Sequence, residues 1–259
     1  MEMKKLIELK WFPPIFFLIL LFVVWIGSIL IFKIPTYLLP SPLKIYKEIA
    51  QNLYLFAFNG FWTLVEAVAG YLLGGSFGLL LGSLLAYSKF FERGFLPYVV
   101  GATTIPIVAF APLVIIYVGF GIASKIVIAA IVSFFPLTLY TLKGMQSSDF
   151  IHRDLFYVLA ASRFNVFIKL QLQSALPYIF TAMKQTSTIA VIAAIIAEYI
   201  QADRGFGYLI LQSSYVMDIP RMWSAVLFSC VLAMSFYGLV VLVEKKFVWW
   251  HSSLKELKI

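Results

Sequence analysis

The sequence predicts an all-α polytopic membrane protein, with six transmembrane helices and a helical hairpin held on the cytoplasmic side. Three observations carry this. Apolar residues make up 62% of the chain and charged ones 12%, about half the charged share of a soluble domain, and the mean hydropathy is +0.95. The apolar residues gather into six long runs. The basic residues gather into the short stretches between them.

A spanning helix needs roughly 20 mostly apolar residues. The runs that meet this in one transmembrane domain are 12–32, 61–87, 95–118, 126–142, 178–200 and 222–243. The first is too long for a cleaved signal peptide, and no small-residue cleavage site follows it. After it, "LLPSPLKIYKEIAQN" breaks the chain at Pro40 and Pro42. An amphipathic helix of about three turns is expected next, so 38–60 reads as an interfacial segment on the outer side. In the second span Gly70, Gly74, Gly78 and Gly82 recur every four residues. That spacing puts small residues on one face, for close helix approach or for a gating hinge. Pro106 and Pro112 in the third span permit a kink, either a static packing feature or one that opens a pathway.

Orientation follows from charge. With the N-terminus inside, fourteen of the twenty Lys and Arg fall on the cytoplasmic side and six outside, which places both termini inside. The net charge of +8 therefore faces an anionic lipid leaflet. No basic, aromatic-interleaved soluble surface is present to bind nucleic acid. Cys230 is the single cysteine, which excludes an intrachain disulfide and any CxxC metal or redox motif.

Ionisable groups at membrane depth are functional suspects. Glu66 lies one turn into the second span and Glu198 at the outer end of the fifth. Glu66 reads as a pathway residue or as an interfacial carboxylate hydrated from outside. Lys125 and Lys184 flank spans and are expected to snorkel. Tyr71, Tyr117, Tyr140, Tyr199 and Tyr208 are suited to stacking on a flat ring, or to the aromatic belts of a membrane protein. His152 and His251 fall in cytoplasmic stretches without HExxH or paired carboxylates, which excludes the common constellations of a membrane-embedded enzyme. An ion-coupled secondary transporter would need midplane carboxylates or an internal repeat, and neither is evident.

The stretch 149–176, between the fourth and fifth spans, is polar and basic yet compatible with helix. Asp154 to Ala161 forms a short helix, Ser162 to Asn165 a turn with an N-cap, and Val166 to Ala175 a second helix with Phe167, Leu170 and Ser174 on one face. Pro177 is tolerated in the first turn of the helix after it. The apolar side chains of this hairpin either insert into a partner's groove or cover the inner end of the bundle.

"DLFYVLAASRFNVFIKLQLQSALPYIF" resembles the cytoplasmic coupling loop of permease subunits from bacterial ABC importers. "LLPSPLKIYKEI", "TIPIVAFAPLVIIYVGFGIASKI", "FFPLTLYTLKGMQSSD" and "AEYIQADRGFGYLI" resemble the branch that handles sulfonates, taurine, nitrate and thiamine-precursor pyrimidines. The resemblance implies an importer type I permease fold in a bacterial cytoplasmic membrane. It also implies a second copy of the chain, two cytoplasmic ATPase subunits and an extracytoplasmic solute-binding protein. Asp154, Leu159, Ala160, Ala161, Ser162, Arg163, Phe167, Leu170 and Pro177 would form the ATPase-coupling loop. Glu66, Pro106, Pro112, Tyr117, Glu198 and Tyr199 would line or gate the substrate pathway, Glu198 beside the outer gate unless it pairs with Arg204. The chain itself needs no cofactor. ATP belongs to the partner, and no GxxxxGK[ST] phosphate loop is present.

The loop departs from the family's pattern. Asp154 holds the acidic position, Leu155 and Phe156 replace two alanines, Ala160 replaces a glycine, and Gln173 stands for a proline. Because alanine takes up a positive φ only at a cost, an ordinary helical or type I turn is expected near Ala160. Relatives often carry a basic residue around position 66, so the acidic Glu66 points to a neutral or cationic cargo.

Overall fold

The computed structural model describes residues 12–248. Lys4, Lys5, Lys10, Lys255 and Lys258, which contribute to the charge count, and His251 lie outside the described residues. Within them the chain is helical and contains no strand. Helix α1 (Phe12–Ile31) has a mean hydropathy of 2.8 and no buried residue. A helix apolar on every side and unburied is a lipid- or partner-facing span, and it touches the bundle through Trp25 against Trp223.

Helix α2 (Pro42–Gln51) is the expected short amphipathic element. It opens with proline at its first position and buries Ile45. Helix α3 (Leu53–Tyr87) follows as one continuous helix of 35 residues. At 1.5 Å rise per residue it reaches about 50 Å, beyond a roughly 30 Å hydrocarbon core, which is why it starts ahead of the apolar run.

The third span is not the single kinked helix that 95–118 predicts. It is a pair, α4 (Lys89–Ala102) and α5 (Ile107–Val118), bent by 103°. Pro106 lies outside both helices as the cap of α5, while Pro112 sits inside α5. The hydroxyls of Thr103 and Thr104 donate to the carbonyls of Val100 and Gly101 at 2.7 Å, which satisfies the end of α4 at the break. Gly119 and Gly121, with φ of 90° and 118°, then turn the chain into α6 (Ile122–Gln146).

The glycine stripe of α3 packs on α6. A Cβ at Gly70 would meet Ala129 Cβ at 2.5 Å, one at Gly78 the Phe134 carbonyl at 2.6 Å, and one at Gly82 the Thr138 carbonyl at 2.6 Å. At Gly74 it would run into the Ala130 carbonyl. All four glycines therefore set how closely the two backbones approach, as small residues do between helices in lipid. The hairpin follows as α7 (Phe150–Val158), α8 (Arg163–Val166) and a π-helical turn over Phe167–Gln171. Helix α9 (Leu172–Ile200) is central. Its buried Ala190 and Ala194 face Ala67 and Tyr71 of α3, and its Ala193 and Ala197 face Ile128 of α6 and Ala111 of α5. Helix α10 (Phe206–Tyr215) crosses the end of the bundle opposite the hairpin, and α11 (Ile219–Phe247) closes it.

Candidate functional site

Two regions carry the polar chemistry, one at each end of α3. Asn59, Thr63 and Glu66 fall at spacings of four and three, which places them on one face of the helix. All three are buried. They meet Glu198, in the last turn of α9, and the start of α10. Glu198 Oε1 accepts from the Thr63 hydroxyl at 2.7 Å, and Oε2 accepts from the Gly207 amide at 2.6 Å. Thr63 Oγ1 also accepts from the Phe206 amide at 2.9 Å, and Asn59 Oδ1 from the Gly205 amide at 2.8 Å. Consecutive amides at a helix start have no partner within the helix. Here α3 and α9 supply three of them, those of Gly205, Phe206 and Gly207, with the Glu198 carboxylate at the positive end of the α10 dipole.

The glycines of "RGFG" have a steric reason. Gly205 takes φ of 103°, and a Cβ there would run into the Glu198 carboxylate. A Cβ at Gly207 would sit 2.6 Å from Glu198 Cβ. Phe206 covers Gly60 of α3, where a Cβ would stand 2.9 Å from the ring. The loop is thus held down on three sides.

Glu66 is not a hydrated interfacial carboxylate. It is fully buried thirteen residues along α3, with Lys125 Nζ 3.2 Å from Oε1. Lys125 does not snorkel either. It is 3% exposed in the first turn of α6, and the contact is one of opposed charges rather than an aligned hydrogen bond. Arg204 does not pair with Glu198. Its guanidinium lies 3.8 Å over the Trp62 ring, a cation–π arrangement, and its Nε is 3.5 Å from Asp203. The structure brings Glu66, Glu198 and Tyr199 to one end of the bundle, and leaves Pro106, Pro112 and Tyr117 on or beside α5, with Tyr117 exposed. Lys184 also has a partner that sequence reasoning missed: both oxygens of the buried Glu244 of α11 lie 2.8 Å from its Nζ.

About 30 Å along α3, at 1.5 Å per residue, the hairpin packs on Tyr87. Asp149 caps α7 through the Ile151 amide, and Ser162 caps α8 through the Asn165 amide. The turn between them differs from the sequence expectation. Ala160 has φ of 48°. Its amide donates to the Tyr157 carbonyl and the Ala161 amide to the Phe156 carbonyl, both at 3.0 Å. These two bonds are the Schellman closure of a helix C-terminus, a position that favours glycine. Alanine holds it at a cost of about 1 kcal/mol or more, because the closure satisfies two carbonyls at the end of α7.

Phe167 and Leu170 turn inward. Phe167 stands edge-on to Tyr87 at 6.2 Å and packs against Leu137, Met145 and Ala175, and Leu170 is buried. The apolar side chains that face outward are on α7 and the two turns after it: Tyr157 at 87% exposure, Val158 at 79%, and Leu155, Leu159 and Phe164. Asp154, Ser162 and Arg163 are exposed beside them, and Ala161 is half-buried. Pro177 sits in the second turn of α9, which runs through it unbroken.

Residues 74–249 match the family of binding-protein-dependent transport system inner membrane components, well over half of the chain. The chain belongs to this family. A relative in the family, the formylaminopyrimidine transport permease protein of Halalkalibacterium halodurans, is 29% identical over 92% of this chain and 95% of its own length. Another, the aliphatic sulfonates transport permease protein assigned in Bacillus subtilis, is 28% identical over 83% of this chain and 79% of its own. Among solved structures, a permease fold from the MetNI methionine ABC transporter in inward-facing conformations superposes with a TM-score of 0.67 at 16% identity, over 75% of this chain and 97% of that one. The permease is therefore a multi-pass inner membrane component of all-α transport fold.

Proposed function

We propose that the chain is the membrane-spanning subunit of an ATP-driven ABC importer. It would carry a small solute of the sulfonate, nitrate, taurine or thiamine-precursor pyrimidine kind across the bacterial cytoplasmic membrane by alternating access. Two copies form the pathway. Two cytoplasmic ATPase subunits dock on the hairpin end, and a solute-binding protein delivers cargo at the α10 end. ATP hydrolysis belongs to the ATPases, so the permease is not itself an enzyme and binds no cofactor.

One observation carries this reading. A bundle whose surface is otherwise lipid-compatible extends a short capped helix from one end, with Tyr157, Val158, Leu159 and Phe164 exposed among the charges of Asp154 and Arg163. An exposed apolar patch with a polar rim is the signature of a protein contact. The buried carboxylates give the ion-coupled alternative little support, because Glu198 is filled by its hydrogen bonds and Glu66 faces Lys125.

Co-purification tests the docking. Replacing Tyr157 and Val158 with Asp should release the ATPase subunits while the permease keeps its thermal midpoint, since neither side chain is packed. Undiminished co-purification of the ATPase with the double variant would remove the hairpin from the coupling contact.

A further inference from the structure

A cavity of about 320 Å³ opens between the last turn of α9, residues 201–202 after it and the flank of α10. We propose that it is the solute site of the permease at its outer end, and that it takes a small planar ring compound, uncharged or cationic, with hydrogen-bonding groups on its edge. The inference rests on the transport function proposed above and narrows its cargo.

Its size lies within the range of small-molecule sites, roughly 300–1,000 Å³. Its walls are of two kinds. Tyr199, Tyr208 and Tyr215 present three phenol rings, whose faces stack on any flat π-system and whose hydroxyls both donate and accept. Gln201 and Gln212 add two amides, each able to donate to a ring nitrogen and accept from an exocyclic amine. No hydrogen bond within the described residues engages any of these five side chains. Five polar side chains without a partner around one largely apolar space can meet both the faces and the edge of a polar ring.

Charge decides the class. The lining contains no Lys, Arg or His, so a sulfonate or nitrate would enter without a counter-ion, at the cost of burying an unpaired charge. Glu198 closes the inner wall, with its carboxyl oxygens already engaged by Thr63 and Gly207, and it offers an anion no counter-charge. A hollow of about 230 Å³ at the elbow of α4 and α5 offers Thr103 as its one polar side chain and nothing to orient a polar solute, and the remaining hollows lie at the hairpin end and the start of α4, away from the outer end.

Binding to the full-length permease in lipid nanodiscs tests this by calorimetry, with formylaminopyrimidine, nitrate and methanesulfonate as probes. Formylaminopyrimidine should bind saturably, and neither anion should displace it. Gln212→Leu and Tyr215→Leu, both at exposed positions where folding is not at risk, should each weaken it about tenfold or more. Preferential binding of either anion, pyrimidine binding unchanged in both variants, or no saturable pyrimidine binding at all would overturn the assignment. The importer reading fails separately, through loss of ATPase co-purification from the unmodified permease, with the calorimetry unaffected.

Discussion

Glu66 and Lys125 form an ion pair that neither partner can leave cheaply. Both are almost completely buried at 3.2 Å, inside a bundle that lipid surrounds. Removing one member of such a pair strands the other charge at a cost of about 3–5 kcal/mol, while an apolar or neutral replacement of both is often close to neutral. Glu66→Gln and Lys125→Met should therefore each lower the thermal midpoint of the purified permease sharply. The double variant should recover more than half of the loss, and a double variant no better than either single one would show that the pair is not coupled. The four-then-three spacing of Asn59, Thr63 and Glu66 is legible in the sequence as a polar stripe on a spanning helix. What the stripe holds is not, because Gly205 lies 146 residues from Asn59 and no local pattern links them. Ala160 shows the opposite limit. Alanine predicts an ordinary turn, but two backbone hydrogen bonds outweigh the local preference.

The spans were legible because lipid demands long apolar runs, and α1, α6, α9 and α11 begin and end within a few residues of the runs that announce them. The elbow between α4 and α5 was hidden, since the residues on either side of Pro106 are equally apolar and hydropathy has no term for direction. The facing of Phe167 and Leu170 was hidden for a related reason. Helical spacing puts them on one side but does not say which, and the π-helical turn they occupy winds more residues per turn than an α-helix and shifts the register into α9. The glycine stripe, in contrast, was readable as small residues at a spacing of four, and its alternatives are resolved by distance. Gly74→Ala must push α3 off the Ala130 carbonyl, and should destabilise the purified permease by about 1–3 kcal/mol. Gly94→Ala, where no neighbour lies within 4 Å, should instead be neutral or stabilising by up to ~1 kcal/mol through helix propensity. Equal midpoints for the two variants would mean that α3 and α6 are not held in close contact.

The two ends of the bundle differ in charge, and that asymmetry gives the molecule its direction. The hairpin end carries Lys89, Arg93, Lys143, Arg153, Arg163, Lys169, Lys245 and Lys246 among the described residues, whereas Lys33, Lys44, Lys47, Arg204 and Arg221 lie toward the α10 end. The acidic groups at that second end temper its charge further: Glu48 binds Arg221 at 2.8 Å, and Asp218 lies 3.3 Å from the same guanidinium. If Lys and Arg are retained on the cytoplasmic side of the membrane, the hairpin lies inside and α10 outside, the orientation that the proposed function requires. Single cysteines test this once Cys230 is replaced by Ser. Tyr157→Cys, on the exposed face of α7, should react with a membrane-impermeant maleimide only in inverted vesicles from cells expressing the permease without its ATPase, and Asp203→Cys, exposed in the loop before α10, only in intact cells. The reverse pattern would put the hairpin outside, out of reach of a cytoplasmic ATPase, and would overturn the proposed coupling contact. The same result would place the ring-lined cavity of α9 and α10 on the wrong side for a delivered solute, so one labelling experiment bears on both ends of the molecule at once.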